Sequence, residues 1–547
     1  ITRVSVDSNG NQGNGGSYHP EISANGRYVV FASGATNLVT GDTNGMRDVF
    51  LHDIQSGETT RVSVDSNGVQ GNGASHDPSI SADGRYIVFV SYANNLVIDD
   101  VNKTADIFLR DMLTNTTTRI SVNSVGVQGN NSSDYPPSLS DDGRYIAFTS
   151  WSNNLVVGDT NGRPDAYIRD TKTNITTLVS VAMDGTFTDD GAHVTSMTPD
   201  GRYVVFYSES NELISEDTNG RTDVFRRDMY TNTTTRISVS SNGEQGNGGS
   251  GNGRTSADGR YISFGSSANN LVTGDTNGRT DVFLRDMYTN TTTRISVSSN
   301  GDQGNNFSYV GSLSADGRYI LFMSDANNLV SGDSNGSSDI FMYDRQTNTT
   351  TLISQLPDGT QGNAECSSNS ISADGHYIAF FSWANNFVAD DTNGVPDIFF
   401  HENNIVLSGV FNKTSPPNAA TGQTLSPMLS WEASAGATSY EYCYSSAAGP
   451  CTKWNSVGTN TSVTLSGLAS NHTYYWQVRA VNADGTTEAD GGTWWSFKTT
   501  TTPVCSWPPY TAPTAPTFGD VAMDAGHWSW VERLSNSGIT AGCGSGN

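Results

Sequence analysis

Cysteines, charged residues and long apolar runs are all scarce in this sequence. Five cysteines in 547 residues are too few for a disulfide scaffold. Charged residues make up 15% of the chain, against about 25% in a typical soluble protein. No apolar run reaches the length of a membrane-spanning helix, and esterase, zinc-protease and phosphate-loop motifs are missing. We therefore expect a protein that is not an enzyme and has no transmembrane segment.

The charge that is present is mostly negative. Lys and Arg total 29 and Asp and Glu total 55, which gives a formal net charge of −26. Nucleic acids and anionic membranes would repel such a surface, so neither is an expected partner. The polarity of the chain comes from Ser, Thr, Asn and 57 glycines, which favour turns and strands over helix interiors. These features predict an all-β protein.

The cysteines allow at most a few cross-links. Cys443 and Cys451 are close enough in the sequence for a local bridge, Cys505 and Cys543 lie near the C-terminus, and Cys366 stands alone. An odd number of cysteines leaves one thiol free or paired between molecules. Because the chain begins at Ile1 rather than at Met, we expect an exported protein whose secretory leader has been removed.

One repeat dominates the chain. The segment Thr-Arg-Val-Ser-Val at Thr2 returns at Thr60 and, as Thr-Arg-Ile-Ser-Val, at Thr118. The period is 58 residues with a single 59. Later copies lie near Leu178, Arg236, Arg294 and Leu352. A period of this size is typical of propeller blades.

Each repeat unit has the pattern of four antiparallel strands. A tight Ala-Asp-Gly turn joins the first two, and Gly84 of this turn suits positive φ. A long loop joins the second and third strands, and a Thr/Asn turn joins the last two. In the second of these repeats the predicted strands span 78–81, 85–90, 106–110 and 118–122. Seven such units, from Ser17 to about Ser408, predict a seven-bladed β-propeller.

The repeated Thr-Arg-Val-Ser-Val segment is predicted to form the outer strand of each blade. Eight copies of this strand are present for seven units. The first copy lies at 2–6 and the eighth at 405–408. One interpretation is ring closure, in which the N-terminal strand completes or extends the last blade. The alternative is that one strand is spare and pairs with a neighbouring molecule by β-augmentation, because an unpaired edge is otherwise a liability.

The repeats resemble the TolB-like or PD40 type of bacterial propeller repeat. The resemblance rests on Ser-Ala-Asp-Gly-Arg-Tyr at 81–86, 256–261 and 314–319, and on the Asp-Ile/Val-Phe strand that follows. It covers about three quarters of the chain, with the propeller at 1–412. The resemblance implies the fold and says little about function, because propellers host many functions.

The rest of the chain divides into three further parts. Residues 413–499 resemble a fibronectin type III domain through Trp431, Tyr440 and Tyr442, and the resemblance makes Tyr474 the corner tyrosine. Residues 500–517 form a Thr/Pro-rich linker.

The tail at 518–547 resembles the first part of an S-layer homology module and stops before its second helix. The resemblance rests on Phe518-Gly-Asp-Val521, on Trp528 and on Gly538-Ile-Thr540. Such modules anchor proteins to cell-wall polymers. The tail therefore implies a protein secreted to a bacterial cell surface.

The long loop of each unit carries the motif Asp-x-Asn-Gly-x-x-Asp, except that blade 2 has Lys103 in place of Gly. Oxygen-bearing side chains at alternate positions suit Ca²⁺, although the distal glutamate of known calcium loops is missing. The alternative is a turn motif, in which Asp and Asn bond their own backbone and Gly supplies positive φ. The predicted calcium ligands are Asp42, Asn44, Asp48, Asp100, Asn102, Asp106, Asp159, Asn161, Asp165, Asp217, Asn219, Asp223, Asp275, Asn277, Asp281, Asp333, Asn335, Asp339, Asp391, Asn393 and Asp397.

Three further sets of residues have both a functional and a structural interpretation. Asn-x-Thr sites at Asn115, Asn174, Asn232, Asn290 and Asn348 are either glycosylated or simply form turns. Arg27, Arg85, Arg144, Arg202, Arg260 and Arg318, with His376, either bind an anionic ligand or pair with acidic neighbours. Tyr92, Trp151 and Trp383 are either sugar platforms or loop packing.

Together these features predict a non-enzymatic, extracellular structural protein. It would be a self-assembling, calcium-stabilised subunit of a filament, sheath or S-layer. Its partners would be copies of itself and a cell-wall polymer or glycan. The alternative is a surface-displayed propeller that binds glycans or partner proteins. Near-identical blades argue mildly against a single specific pocket, because they would give a symmetric surface.

Overall fold

A computed structural model of the chain describes residues 1–403, 408–447, 453–482 and 485–501. The chain divides into two compact units, Ile1–Asn404 and Ile405–Asn547. Across the described ranges the regular structure is β, apart from one 3₁₀ turn at Ala489–Gly492. No helix among these residues is long and apolar enough to span a membrane. The predicted linker and S-layer-like tail, apart from 500 and 501, lie outside the described residues.

The first unit is a seven-bladed β-propeller of seven four-stranded antiparallel sheets. Its strands, in chain order, are as follows. Blade 1 has β2 (Ser17–Ile22), β3 (Tyr28–Ser33), β4 (Asp48–Asp53) and β5 (Thr59–Arg61), and blade 2 has β6 (Ser75–Ile80), β7 (Tyr86–Ser91), β8 (Asp106–Asp111) and β9 (Thr116–Arg119). Blade 3 has β10 (Ser138–Leu139), β11 (Tyr145–Ser150), β12 (Asp165–Asp170) and β13 (Ile175–Leu178), and blade 4 has β14 (Ala192–Met197), β15 (Tyr203–Ser208), β16 (Asp223–Asp228) and β17 (Thr233–Arg236). Blade 5 has β18 (Ser250–Thr255), β19 (Tyr261–Ser266), β20 (Asp281–Asp286) and β21 (Thr291–Arg294), and blade 6 has β22 (Ser308–Leu313), β23 (Tyr319–Ser324), β24 (Asp339–Asp344) and β25 (Thr349–Leu352). Blade 7 has β26 (Cys366–Ile371), β27 (Tyr377–Ser382), β28 (Asp397–Glu402) and the N-terminal β1 (Thr2–Arg3).

The N-terminal strand closes the ring. Thr2 lies opposite Phe400 and Arg3 lies opposite Phe399, so β1 is the antiparallel outer strand of blade 7. The ring-closure interpretation of the first outer-strand copy is therefore confirmed, and β1 is not spare. The eighth copy falls at 405–408, of which 405–407 lie outside the described residues.

Two predicted strand boundaries are wrong, and blade 2 shows why. Its inner strand begins at Ser75 rather than at 78, because a bulge with Asp77 at a φ of 49° interrupts the alternation of the pattern. Its outer strand is Thr116–Arg119 rather than 118–122. The chain leaves the sheet after Arg119, and the Ser121 side chain bonds Asp106 instead of continuing the ladder.

Stacked phenylalanines from the second and third strands of a blade pack in the core between neighbouring blades. In blade 2, Phe89 and Phe108 are fully buried and their ring centroids lie 6.0 Å apart. Burying each ring contributes about 2 kcal/mol of hydrophobic free energy. The tight turn beside this core requires glycine, because Gly84 has a φ of 79° and a Cβ there would lie 2.3 Å from the Tyr28 ring. The predicted positive φ of Gly84 is confirmed.

The strand order gives the propeller two distinct faces. One, the turn face, carries the two tight turns of each blade, and the other, the loop face, carries the long loops and the connections between blades. On the turn face each predicted arginine pairs with an aspartate of its own blade, with nitrogen–oxygen distances of 2.7–2.9 Å. The bond to Arg27, for example, lowers the pKa of Asp53 to about 2. Local pairing of these arginines is thus confirmed.

The asparagines of the turn face have a conformational role. All five predicted Asn-x-Thr asparagines have a φ between 56° and 59°, the left-handed region that asparagine tolerates better than most residues. The turn interpretation of these residues is therefore confirmed, and their glycosylation stays a prediction.

The second unit contains two β-sheets. Its strands are β29 (Lys413–Ser415), β30 (Ala420–Gln423), β31 (Met428–Trp431), β32 (Ser439–Ser445), β33 (Asn455–Gly458), β34 (Ser462–Thr464), β35 (Thr473–Asn482), β36 (Gly485–Glu488) and β37 (Trp495–Thr499). One sheet has the order β29-β31-β34, and the other has the order β30-β37-β35-β32-β33, with β36 also paired to β35. Trp431, Trp476 and Phe411 pack in the core between them. Cys443 is disulfide-bonded, whereas Cys366 in the propeller is a buried free thiol.

Candidate functional site

In the structure, the acidic loop of blade 1 forms a hydrogen-bonded cage around two aspartates. Asp48 is fully buried at the start of β4. Its Oδ1 accepts a hydrogen bond from Ser63 Oγ at 2.6 Å, and its Oδ2 accepts one from Gln70 Nε2 at 2.8 Å. Gln70 Nε2 also donates to Asp42 Oδ1 at 2.8 Å. One glutamine amide therefore joins both carboxylates.

The asparagine of the motif holds the shape of the loop. Asn44 Oδ1 accepts a hydrogen bond from the Met46 backbone N–H at 2.8 Å. Its Nδ2 donates to the Gly71 carbonyl at 2.8 Å and to Asp48 Oδ2 at 3.3 Å. Asn44 thus donates to a carboxylate that the sequence predicts to be a calcium ligand, and acts as a turn residue here.

An arginine supplies positive charge to this cage. Arg61 Nη2 lies 3.7 Å from Asp42 Oδ2, and Arg61 Nε lies 3.8 Å from Asp48 Oδ2. Burial raises the pKa of Asp48, while the bonds from Ser63 and Gln70 and the charge of Arg61 oppose that rise. The same arginine position is filled in five blades, by Arg61, Arg119, Arg236, Arg294 and, in blade 7, Arg3.

Blade 3 has neither the arginine nor the glutamine. Leu178 and Phe187 occupy those positions. Tyr167 Oη donates to Asp159 Oδ2 at 3.1 Å, while Asp159 Oδ1 is buried and has no hydrogen-bond partner among the described residues. Burial, together with the nearby charge of Asp159, raises the pKa of Asp165 to about 7.

Blade 6 is intermediate between these two arrangements. Leu352 replaces the arginine, but Gln361 remains. The Gln361 amide donates to the Gly332 carbonyl and accepts from the Ser334 N–H instead of joining the two carboxylates. Burial raises the pKa of Asp339 to about 6.

The structure therefore gathers the predicted residues of the motif within each loop and adds partners that the sequence reasoning missed. Those partners are the Ser, Gln and Arg of the following outer strand and connection. Their signal is present in the sequence, because Arg-x-Ser and Gln-Gly-Asn recur with the period of the repeat. Calcium binding by these loops stays a prediction.

A second candidate site lies in the centre of the propeller. The inner strands of all seven blades line a cavity of about 380 Å³, which we call the central channel. Within it, Glu21 Oε2 accepts a hydrogen bond from the Ile80 N–H at 2.9 Å, and burial raises the pKa of Glu21 to about 7. Arg254 Nη1 donates to the Thr195 carbonyl at 2.6 Å. The cavity therefore contains groups of both charges.

Aromatic and histidine side chains lie at the loop-face ends of the inner strands and of the strands next to them. The first residues of the six-residue inner strands lie there, because they pair with the end of the strand that precedes the long loop. The His193 ring lies 4.3 Å from the Tyr135 ring and 4.9 Å from the Tyr207 ring, and the Tyr18 ring lies 5.8 Å from the Phe381 ring. We call these five residues the aromatic rim.

Other polar and aromatic groups continue the rim. His76 Nδ1 lies 3.0 Å and His19 Nδ1 lies 3.3 Å from the Asp77 carboxylate. Of the predicted sugar platforms, Tyr92 lies 5.9 Å from the His76 ring, Trp383 is exposed, and Trp151 is half-buried. Their role as platforms stays a prediction.

No family model and no curated protein matches this chain. Among solved structures it is similar to an oligogalacturonate lyase from Vibrio parahaemolyticus, with 12% identity, a TM-score of 0.43 and coverage of 70% of this chain and 89% of that one. It is similar to a putative TolB from Agrobacterium tumefaciens, with 15% identity, a TM-score of 0.34 and coverage of 64% and 96%. It is also similar to a prolyl endopeptidase, with 12% identity, a TM-score of 0.43 and coverage of 76% and 54%. Some of these neighbours are enzymes, and the propeller assignment itself rests on the seven sheets.

Proposed function

We propose that the protein is a non-catalytic binding module that takes its ligand at the loop-face mouth of the channel. The observation that supports this proposal is the location of the sequence differences between the blades. Their third and outer strands are near-copies, and their second strands differ most at the fifth residue, which is Tyr207 in blade 4 and Phe381 in blade 7. By contrast, six of the inner strands have the sequences SYHPEI, SHDPSI, AHVTSM, SGNGRT, SYVGSL and CSSNSI. Repeated residues serve the packing that every blade shares. The divergent residues meet in the channel, so a nearly symmetric fold presents one asymmetric site.

The chemistry of the rim favours a neutral glycan. Aromatic faces pack well on the apolar faces of sugar rings, and Tyr and His add polar groups for the hydroxyls. Asp77, held between two histidines, is a further acceptor at the mouth. The net charge of −26 opposes the approach of a polyanionic glycan.

A glycan array followed by calorimetry tests this proposal. We expect selective binding of neutral oligosaccharides, weakened about tenfold or more, or by about 1.4 kcal/mol, in Tyr135→Ala. The matched control is Tyr230→Ala, because Tyr230 is an exposed tyrosine on the turn face and its loss should leave affinity unchanged. Silence on the array, or equal weakening by both variants, would contradict the proposal.

Self-assembly into a surface polymer is a second candidate, favoured by exposed aliphatic side chains on the loop face. Val157 is 99% exposed, and Ile98 at the same position of blade 2 is also exposed. Blades 1, 5 and 6 have Thr40, Thr273 and Ser331 there. Exposed aliphatic groups that meet in one region favour association between molecules.

Negative-stain electron microscopy, with and without a calcium chelator, separates the candidates. Ordered filaments or lattices that are lost in Val157→Ser would support assembly through this face, and disassembly on chelation would add a calcium requirement. Single particles with and without the chelator would exclude self-assembly and leave the binding module as the remaining candidate. The location of the protein at a cell surface is part of both candidates.

We also propose that the second unit is fibronectin type III-like and serves as a spacer. Its two-sheet architecture and its buried Trp431 support this. The Ala469 N–H donates to Tyr474 Oη at 3.0 Å, which is the kind of bond made by a corner tyrosine.

A further inference from the structure

We propose that blade 3 alone among the seven blades binds a divalent cation of the calcium class, between Asp159 and Asp165. In five sister blades an arginine side chain lies beside this pair of carboxylates. The proposal is independent of the ligand at the channel mouth, because the acidic loop and the aromatic rim are separate groups of residues.

Blade 3 differs in charge from the five blades that have the arginine. Both aspartates of the motif are kept in blade 3, but Leu178 replaces the arginine and Phe187 replaces the glutamine. The two donors that the sisters direct at their carboxylates are therefore both lost. Two buried carboxylates without a cation are costly, and a bound metal ion would supply the missing charge.

Asp159 has a buried carboxylate oxygen that accepts no hydrogen bond from the described residues. Asp159 is only 8% exposed, and its Oδ1 has no hydrogen-bond partner within the described ranges. In the five sister blades the same oxygen, Oδ1 of the first aspartate, accepts a hydrogen bond of 2.6–2.9 Å from the glutamine amide. Asp159 Oδ1 therefore lacks the donor that the same oxygen has in those five blades.

Among the seven blades, only blade 3 has a hydroxyl at this position of the third strand. Tyr167 takes the position of a core phenylalanine, and its Oη lies 3.1 Å from Asp159 Oδ2. The sister residues are Phe50, Phe108, Phe225, Phe283, Phe341 and Phe399. Two carboxylates and a nearby hydroxyl are a hard, all-oxygen set that suits Ca²⁺, whose remaining ligands would be water and backbone carbonyls.

Blade 6 shows why the loss of the arginine alone is not enough to create a cation site. It also has a leucine, Leu352, but it keeps Gln361 and Phe341. Its Asp333 is more exposed than Asp159 and has no buried orphan oxygen. Blade 6 is therefore the natural control for blade 3.

Terbium luminescence on the full chain tests the proposal, because Tb³⁺ replaces Ca²⁺ and is sensitised by a nearby tyrosine. We expect one sensitised Tb³⁺ site that Ca²⁺ displaces. Leu178→Arg, which restores the residue of the sister blades, should weaken binding at least about tenfold, and Leu352→Arg in blade 6 should leave it unchanged. Tyr167→Phe should abolish the sensitised emission while calorimetry still detects Ca²⁺.

Several outcomes would overturn the proposal. They are the absence of a Ca²⁺-displaceable site, its survival in Leu178→Arg, and equal loss in Leu178→Arg and Leu352→Arg. Circular dichroism and thermal unfolding confirm that each variant is folded. If Leu178→Arg does not fold, Asp159→Asn serves as the second variant, and retention of full affinity there would equally overturn the proposal.

Discussion

Blades 1, 2, 4, 5 and 7 place an arginine beside their two loop aspartates, whereas blades 3 and 6 place a leucine there. The loops themselves have almost the same sequence and the same turn geometry. Burial raises the pKa of the second aspartate in both kinds of blade, but an arginine opposes that rise only in the arginine blades. In the two leucine blades the pKa rises to about 7 for Asp165 and to about 6 for Asp339. The acidic motif is shared by both kinds of blade. The residue on the outer strand, arginine or leucine, therefore determines how far the pKa of the buried aspartate rises.

This difference matters for interpreting repeated acidic motifs. A carboxylate pair that already has an internal cation and an amide donor has little need of a metal ion. The same pair without those donors must share a proton, bind a cation or lose stability. Substitutions that exchange the two arrangements therefore test the comparison directly.

The largest effect is expected from converting an arginine blade into a leucine blade. Arg236→Leu leaves Asp217 and Asp223 buried without a cation, and breaking such a buried pair should lower the free energy of unfolding by about 3 kcal/mol. Urea unfolding measures the change. The control is Arg202→Leu in the same blade. The side chain of Arg202 is 44% exposed, against 6% for Arg236, so its ion pair should contribute less than about 1 kcal/mol. Equal losses would show that the buried guanidinium is not special.

A smaller effect is expected from removing the glutamine. Gln70→Leu takes one donor from both Asp42 and Asp48 and should lower the free energy of unfolding by about 2 kcal/mol. Gln361→Leu in blade 6 is the matched control, because the hydrogen bonds of Gln361 go to backbone groups and are exposed to solvent. Denaturant unfolding should show a larger decrease in the free energy of unfolding for Gln70→Leu than for Gln361→Leu. The reverse order would contradict the role given to the amide.

The sequence predicts the fold well, because its signals are local and repeated. The blade period, the glycine of the tight turn and the strand that begins at Asp106 follow from neighbouring residues. The start of the inner strand at Ser75 does not, since Asp77 adopts a left-handed conformation that only its tertiary surroundings support.

The cages could be predicted only in part, for a related reason. Gln70 and Asp42 are 28 residues apart in the sequence, and they meet only when the outer strand has packed on its blade. Closure of the last cage depends on a still more distant contact, in which Gln12 donates to Asp391 and Asp397. A motif search finds the aspartates but cannot show what faces them.

The smallest predicted effect concerns pH and uses blade 6, where the arginine can be restored. Burial raises the pKa of Asp339 from its usual 3.8 to about 6. The folded protein therefore binds this proton more tightly than the unfolded chain does. The resulting stability is complete below about pH 4 and is lost as the pH rises through about 6, with a slope of at most about 1.4 kcal/mol per pH unit.

Leu352→Arg should remove this slope, because a guanidinium beside Asp339 favours its charged form. Urea unfolding between pH 4 and 7, in a buffer with chelator, gives the free energies of the variant and the wild type. Their difference cancels other titrating groups, such as Glu21. Asp339→Asn is the control that removes the titrating group itself and should flatten the same region. If Asp339→Asn flattens the profile and Leu352→Arg does not, an arginine on the outer strand does not control the charge of the loop, and the contrast between the two kinds of blade has another cause.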